Sequence, residues 1–304
     1  MMSIKPNLFI VGAGKAGTSA LHNYLSVHPD IYMSPVKEPN FFGRDLQRRF
    51  STMNEDQYLQ LFSSAAGYLF RGEASVDYML SKTAAMEIKE FAPESRILIM
   101  VRNPVEVIQA RHAQNLYCQE ETIADLACAL QVESERREGR LIPDATRVID
   151  WLYYREWVKY SEQVSRYFQY FGKENVFVGV FDDLRDKPRR LYENLMQFLG
   201  VDGAYVPDFK PVNSRKAARI PLVSRIARGK IKAINPFVKA IIPSRRLRQI
   251  VSKRVLNINS RTIKPNSLDP LLAQQLRNEM QPEVEALSNL LGRDLTHWLG
   301  NKKY

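Results

Sequence analysis

The chain is predicted to be an α/β domain: three layers, with a central parallel sheet and helices on both faces. Three observations carry this. Short apolar runs that read as strands buried on both faces recur near 7–11, 96–102 and 176–181. Segments of helical periodicity lie between them. The first run enters a glycine-rich turn and then a helical pattern, a strand–loop–helix unit whose freed amides and helix dipole attract an anion.

That turn reads Gly12-Ala-Gly-Lys15-Ala-Gly17-Thr-Ser19, and three readings compete for it. Gly12, Gly14 and Gly17 spell the G-x-G-x-x-G of a dinucleotide fold. That fold needs an acidic residue closing a second strand about 20 residues on, and Asp30 instead precedes the apolar pair Ile31-Tyr32. Gly12 and Gly17 also have the spacing of a nucleotide triphosphatase loop, G-x-x-x-x-G-K-[ST]. There Thr18 stands in the lysine position and Lys15 comes early, so a kinase using ATP and magnesium is the weaker alternative. The third reading takes the order as written: strand, Lys15-x-Gly17-Thr18-Ser19, helix.

The next apolar strand runs Arg96-Ile-Leu-Ile-Met-Val and ends at Arg102-Asn-Pro104. Pro104 suits the first turn of a helix, which leaves Arg102 at the strand's C-terminal edge. Ligands of open α/β sheets bind at that edge, and an arginine there can make paired hydrogen bonds to a phosphate. Between the two strands lies Lys37-Glu38-Pro-Asn-Phe41-Phe42. A carboxylate fixed against an apolar wall can serve as a general base.

Together these segments resemble sulfotransferases that use 3′-phosphoadenosine-5′-phosphosulfate (PAPS) as donor, and so imply a P-loop-like sulfotransferase fold. The first loop is similar to the family's 5′-phosphosulfate loop. By that resemblance Lys15, Ala16, Gly17, Thr18, Ser19 and Ala20 hold the donor, and Lys15 balances charge as sulfate leaves. Arg102-Asn-Pro104 resembles the 3′-phosphate motif, which places a serine eight residues after the arginine. Here that position is Ala110, so one hydroxyl contact is missing or supplied elsewhere. The Lys-Glu-Pro-x-Phe-Phe string resembles the heparan-sulfate-type and bacterial segment that supplies the base, Glu38. Asn213-Ser-Arg215-Lys216 resembles the basic loop closing over the donor, without the glycine that follows in cytosolic members. Gly72-Glu73-Ala-Ser75-Val-Asp-Tyr78 resembles a segment bordering donor and acceptor, with Val76 replacing its proline. Lys37, Glu73, Ser75, Tyr78 and His112 are candidate substrate contacts, and His112 is the rival base. A metal is not expected, because lysine and arginine neutralise the donor. The acceptor implied is a glycan, a glycolipid or a small molecule.

Remaining elements are expected as a strand near 67–71 and helices near 17–27, 83–91, 104–116, 121–138, 151–171 and 268–291. Another helix ends at Phe198-Leu-Gly200. A length of 304 residues and 45% hydrophobic content suit one large domain with an ample core. No run approaches the roughly 18 apolar residues of a membrane span. The early first strand leaves no room for a signal peptide, and Cys118 and Cys128 form neither a disulfide framework nor a metal cluster. A cytoplasmic protein is expected.

The net charge of +11 is localised. From Lys210 to Lys264 there are 16 lysines and arginines and no acidic residue, while the rest carries 28 basic against 33 acidic residues. Residues 218–264 read as a basic insertion or lid within one domain spanning 1–304. They alternate basic and apolar positions, which fits peripheral contact with the inner face of a membrane. Scarce aromatics argue against nucleic acid. A nucleotide-binding or membrane-docking module without activity is the alternative outside the enzyme class.

Overall fold

The computed structural model describes residues 4–209, 216–218, 223, 226–227, 244–262 and 268–300. Five strands, β1 (Leu8–Gly12), β2 (Ile31–Met33), β3 (Phe70–Ala74), β4 (Arg96–Val101) and β5 (Val176–Val180), form one sheet in the order β2-β3-β1-β4-β5. Every neighbouring pair is parallel. β1 is central, and Leu8 is in register with Gly72 on one side and Arg96 on the other. Its five residues are all buried, as are the last five of β4. Each large side chain so placed contributes roughly 1.5–3 kcal/mol.

The helices around the sheet are α1 (Thr18–Leu25), α2 (Glu55–Gln60), α3 (Asp77–Leu80), α4 (Ala84–Phe91) and α5 (Pro104–Cys118). They continue with α8 (Tyr160–Phe171), α9 (Phe181–Asp186) and α10 (Pro188–Leu199), whereas α6 (Leu126–Gln131) and α7 (Glu133–Arg137) belong to a second compact unit. α1 packs against β1 and β3, and α10 against β5. α8 packs against β4 and β5, with α3 and α4 beside it, so helices cover both faces. The buried face of α8 is Tyr160, Val164, Tyr167 and Phe171, at the i, i+4, i+7, i+11 spacing of a helix stripe. α12 (Pro270–Leu291) packs on α8 and starts at Asp269, whose carboxylate accepts the Leu271 and Leu272 amides at 3.0 and 2.9 Å.

Two expected helices are shorter than their periodicity suggests. Over 151–171, two single 3₁₀ turns, Ile149–Leu152 and Glu156–Val158, precede α8. Trp151 Nε1 donates to Asp77 Oδ1 at 3.0 Å, and Trp157 is buried. Tertiary partners for these rings outweigh a continuous helix. Over 121–138 the helix begins only after Asp125, which caps the Cys128 amide at 2.8 Å. Upstream, the Glu121 carboxylate accepts the Thr122 and Ile123 amides. It also forms a fully buried bidentate pair with Arg136, both bonds 2.8 Å.

The chain divides into two compact units. One comprises Met1–His112, Arg147–Val212 and Leu268–Tyr304 and holds the five-stranded sheet; the other comprises Ala113–Thr146 and Asn213–Ser267. The second unit contains α6, α7, α11 (Arg245–Ile258) and an antiparallel pair, β6 (Lys216–Ala218) with β7 (Ser260–Thr262). The basic segment thus shares a unit with residues 113–146.

Candidate functional site

Parallel strands deliver their following loops to one edge, and each strand here contributes a candidate group there. β1 leads to Lys15, β2 to Glu38, β3 to Ser75 through Tyr78, β4 to Arg102 and β5 to Phe181. This is the C-terminal edge at which open α/β sheets bind ligands.

At the end of β1, Gly17 takes φ +97° and becomes the N-cap of α1. No side chain caps this helix and no acidic residue sits in its first turn. The terminal amides and the positive dipole end are therefore left to an anion. Thr18 is buried and Ser19 half-buried. A Cβ on Gly17 would run into Leu184 Cδ2 and lie 3.2 Å from Phe181. Gly17→Ala should cost about 3 kcal/mol, from left-handed strain plus overpacking. A urea-unfolding loss of less than ~1 kcal/mol would contradict this packing.

Arg102 joins this loop to the next strand. Its Nη1 donates to the Lys15 carbonyl at 3.0 Å. Nε and Nη2 both engage Glu106 Oε2, at 2.9 and 2.8 Å, and the guanidinium lies 4.3 Å from the Phe181 ring centre. The two phosphate segments of the sequence, Lys15 and Arg102, therefore meet. Asn103 starts α5 by accepting the Val105 amide at 3.0 Å, and Pro104 is its first residue. Ala110 is buried on the same helix.

Glu38 stands on the loop after β2. Its amide donates to the Ala74 carbonyl and its Oε2 accepts the Val76 amide, both at 2.9 Å. Lys37 Nζ pairs with Oε1, and the Glu38 side chain stays 33% exposed. Lys15, Glu38 and Asn40 have φ of 69°, 62° and 53°. Non-glycine residues enter this region at a cost of about 1–2 kcal/mol each. Such strain gathers where function needs it.

What holds the Glu38 loop is a carboxylate beneath it. Glu73 is fully buried. It accepts Tyr78 Oη at 2.7 Å and Tyr58 Oη at 3.1 Å on Oε1, and Ser75 Oγ at 2.8 Å on Oε2. Ser75 Oγ in turn accepts the Asn40 amide at 3.1 Å, and Tyr78 Oη the Phe41 and Phe42 amides at 2.9 and 3.3 Å. Phe41 stacks on Tyr58 with ring centres 4.2 Å apart. Glu73, Ser75 and Tyr78 thus lie under the loop, tying its backbone to β3.

Burial pushes Glu73 up to about 7, against the lowering effect of its three hydroxyl partners. A carboxyl with a raised folded-state pKa contributes stability below its unfolded value of 4.5 and loses it as pH rises through 7. Glu73→Gln carries no such titration. Its stability relative to the parent chain should therefore improve by about 3 kcal/mol between pH 4.5 and pH 8. Paired denaturant titrations at the two pH values check this, and a pH-independent difference would contradict it.

Asp77 is also buried, and its carboxyl is pushed up to about 6 by desolvation and by the nearby Glu38 charge, against the pull of Arg111 and Arg48. Arg111 lies between two indoles, 4.5 Å from the Trp151 ring centre and 4.0 Å from that of Trp157. Trp157 backs the loop after β1: a Cβ on Gly14 would come within 2.7 Å of its ring. His112 is 5% exposed with its ring 5.5 Å from that of Tyr154, whereas Glu38 opens to solvent. Arg215 lies outside the described residues, and of Lys216 only the backbone is described, at the start of β6. Among the described residues no cluster of three His, Cys, Asp or Glu could hold a metal.

A family model, described as a sulfotransferase domain, matches residues 5–208. The chain belongs to the sulfotransferase family. The match takes in Lys15, Glu38, Glu73 and Arg102. A sulfotransferase from Alicyclobacillus acidocaldarius superposes with a TM-score of 0.72 at 29% identity, covering 97% of this chain and 99% of that one. Among curated relatives, human heparan sulfate glucosamine 3-O-sulfotransferase 6 is 31% identical over 111 residues, 36% of this chain and 31% of that protein. A Caenorhabditis elegans bifunctional heparan sulfate N-deacetylase/N-sulfotransferase is 24% identical over 201 residues, 64% of this chain and 22% of that protein. The chain thus matches less than a third of the length of these curated relatives.

The sequence singled out the sulfotransferase loop, Arg102 and Glu38, but missed Asp77, Arg111, Trp151, Trp157 and Phe181 around them. Trp151 and Trp157 carried a signal only as members of an expected helix. Phe181 closed an apolar strand and gave no reason to be read as a platform for an arginine.

Proposed function

We propose that this chain transfers a sulfuryl group from PAPS to a hydroxyl or amine of a glycan or glycolipid acceptor. The observation that carries the reading is the Arg102 Nη1 bond to the Lys15 carbonyl. It couples the two phosphate-binding segments at one sheet edge, on which the Glu38 loop also opens. The uncapped amides of α1, with Thr18 and Ser19, suit the 5′-phosphosulfate. Arg102 suits the 3′-phosphate, and the family resemblance assigns Arg215 and Lys216 to the donor as well. Ala110, at the position of the family's serine, offers that phosphate no hydroxyl.

Glu38 takes the proton of the acceptor as its oxygen or nitrogen attacks sulfur in line with the departing phosphate oxygen. The sulfur–oxygen bond to the phosphate breaks, and adenosine 3′,5′-bisphosphate leaves. Lys15 stabilises the charge growing on that oxygen, so positioning and preorganised charge supply most of the rate. Glu38 suits the base role better than His112 because its carboxylate is open while the imidazole is buried.

The glycan assignment rests on the heparan sulfate relatives and on the basic segment. The two cysteines, Cys118 and Cys128, are free thiols. No helix among the described residues is long and apolar enough to cross a membrane. Contact with the inner membrane face through residues 218–264 completes the proposal. Incubation with sulfur-labelled PAPS and a panel of glucosamine-containing glycans and glycolipids tests it. Label should pass to at least one acceptor, and adenosine 3′,5′-bisphosphate should appear in equal amount. Label transfer confined to small phenols would contradict the acceptor class.

A further inference from the structure

The basic segment contains a helix that leaves large aliphatic side chains exposed. α11 is a 14-residue helix, Arg-Arg-Leu-Arg-Gln-Ile-Val-Ser-Lys-Arg-Val-Leu-Asn-Ile, with no acidic residue. At 100° per residue, Leu247, Val251, Arg254 and Ile258 fall on one stripe at i, i+4, i+7 and i+11. Leu247 is 54% exposed, Val251 41% and Ile258 77%. Arg254 is exposed with them. On another side of the helix Ser252 Oγ donates to the Ala227 carbonyl at 2.6 Å, and Asn259, just past its end, is buried.

A solvated basic helix would point its arginines outward and its aliphatic groups inward. Here three large aliphatic side chains are left facing water, which opposes the burial that apolar surface favours. The surrounding sequence is without counter-charge: 16 basic residues and no acidic one between Lys210 and Lys264. An apolar stripe within a segment whose own charges are all positive matches the boundary of an anionic bilayer, which offers acyl chains and phosphate headgroups together. Nucleic acid would satisfy the charge but not the aliphatic stripe.

We propose that the Leu247–Val251–Ile258 face of α11 is a docking surface for anionic phospholipid, inserting its aliphatic groups at the headgroup–acyl boundary. This deepens the membrane contact proposed above and names its face and lipid class. It stands apart from the transfer chemistry, because vesicle binding can be read without any turnover.

The test uses the full chain in vesicle flotation, with phosphatidylcholine alone or mixed with phosphatidylglycerol, at low and high salt. Because all three side chains are exposed, the triple variant Leu247→Ser, Val251→Ser, Ile258→Ser should keep the parent melting temperature. The parent chain should float with the mixed vesicles, bind the neutral ones at least about tenfold more weakly, and lose affinity with salt. The triple variant should bind the mixed vesicles at least about tenfold more weakly than the parent. Equal binding by parent and variant would overturn the proposal by making charge alone responsible. Absence of flotation would overturn it too, as would a parent dimer that the variant abolishes without vesicle binding, which would assign the stripe to a second copy. Tight binding to single-stranded DNA in place of vesicles would overturn it in favour of nucleic acid.

Discussion

Glu38→Gln is expected to lower kcat for sulfuryl transfer by about 10²–10⁴-fold, the range of a positioned general base. Donor affinity should change little. The amide keeps the shape of the side chain, and its oxygen can still accept the Val76 amide that now reaches Oε2 at 2.9 Å. The loop itself is held elsewhere, by Ser75 and Tyr78 on the Asn40, Phe41 and Phe42 amides. The substitution therefore removes a proton acceptor without releasing the backbone. Single-turnover rates with saturating PAPS separate this from a binding defect. Turnover close to the parent would mean that His112 or water takes the proton.

Lys15→Ala should act on both binding and chemistry. Lys15 sits in the left-handed region at φ 69°, between the end of β1 and the α1 N-terminus. Its carbonyl is held by Arg102 at 3.0 Å. That bond belongs to the backbone and survives the substitution, so the loop should keep its course. The ammonium that the proposal assigns to the leaving phosphate is lost. Loss of one preorganised charge of this kind costs about 10²–10³-fold in kcat. Calorimetric titration with adenosine 3′,5′-bisphosphate should also show weaker binding, because the same ammonium attracts the 5′-phosphate. Unchanged kcat with unchanged affinity would remove Lys15 from the site. The pair of variants is diagnostic together: Glu38→Gln should spare donor binding and Lys15→Ala should not.

Much of this architecture could be read in the residues because it rests on local patterns. Buried parallel strands leave nearly continuous apolar runs, and Leu8–Gly12 and Arg96–Val101 are both such strands. The strand expected at 67–71 lies at Phe70–Ala74, where Gly72, Glu73 and Ala74 interrupt the apolar pattern. β2 was not anticipated, since Ile31–Met33 is only three residues long. Arg102 and Lys15 were each placed at a strand edge by their neighbours, yet their contact is a matter of register between β1 and β4 and has no local signature. The same holds for Glu73. Its motif suggested a border of the ligand site, but only the fold puts Tyr58, from 15 residues away, onto its carboxylate. The Trp151 and Trp157 helix reading failed because partners distant in sequence, Asp77 and the Gly14 loop, decided those conformations.

The donor is the centre of the account, and melting temperature measures it most directly because a ligand bound to the folded state raises it by mass action. The chain should be heated alone, with adenosine 3′,5′-bisphosphate, with ATP and magnesium, and with NAD. The melting temperature should rise with the bisphosphate, by less in Lys15→Ala, and respond little to the other two. A rise with ATP and magnesium but none with the bisphosphate would contradict it.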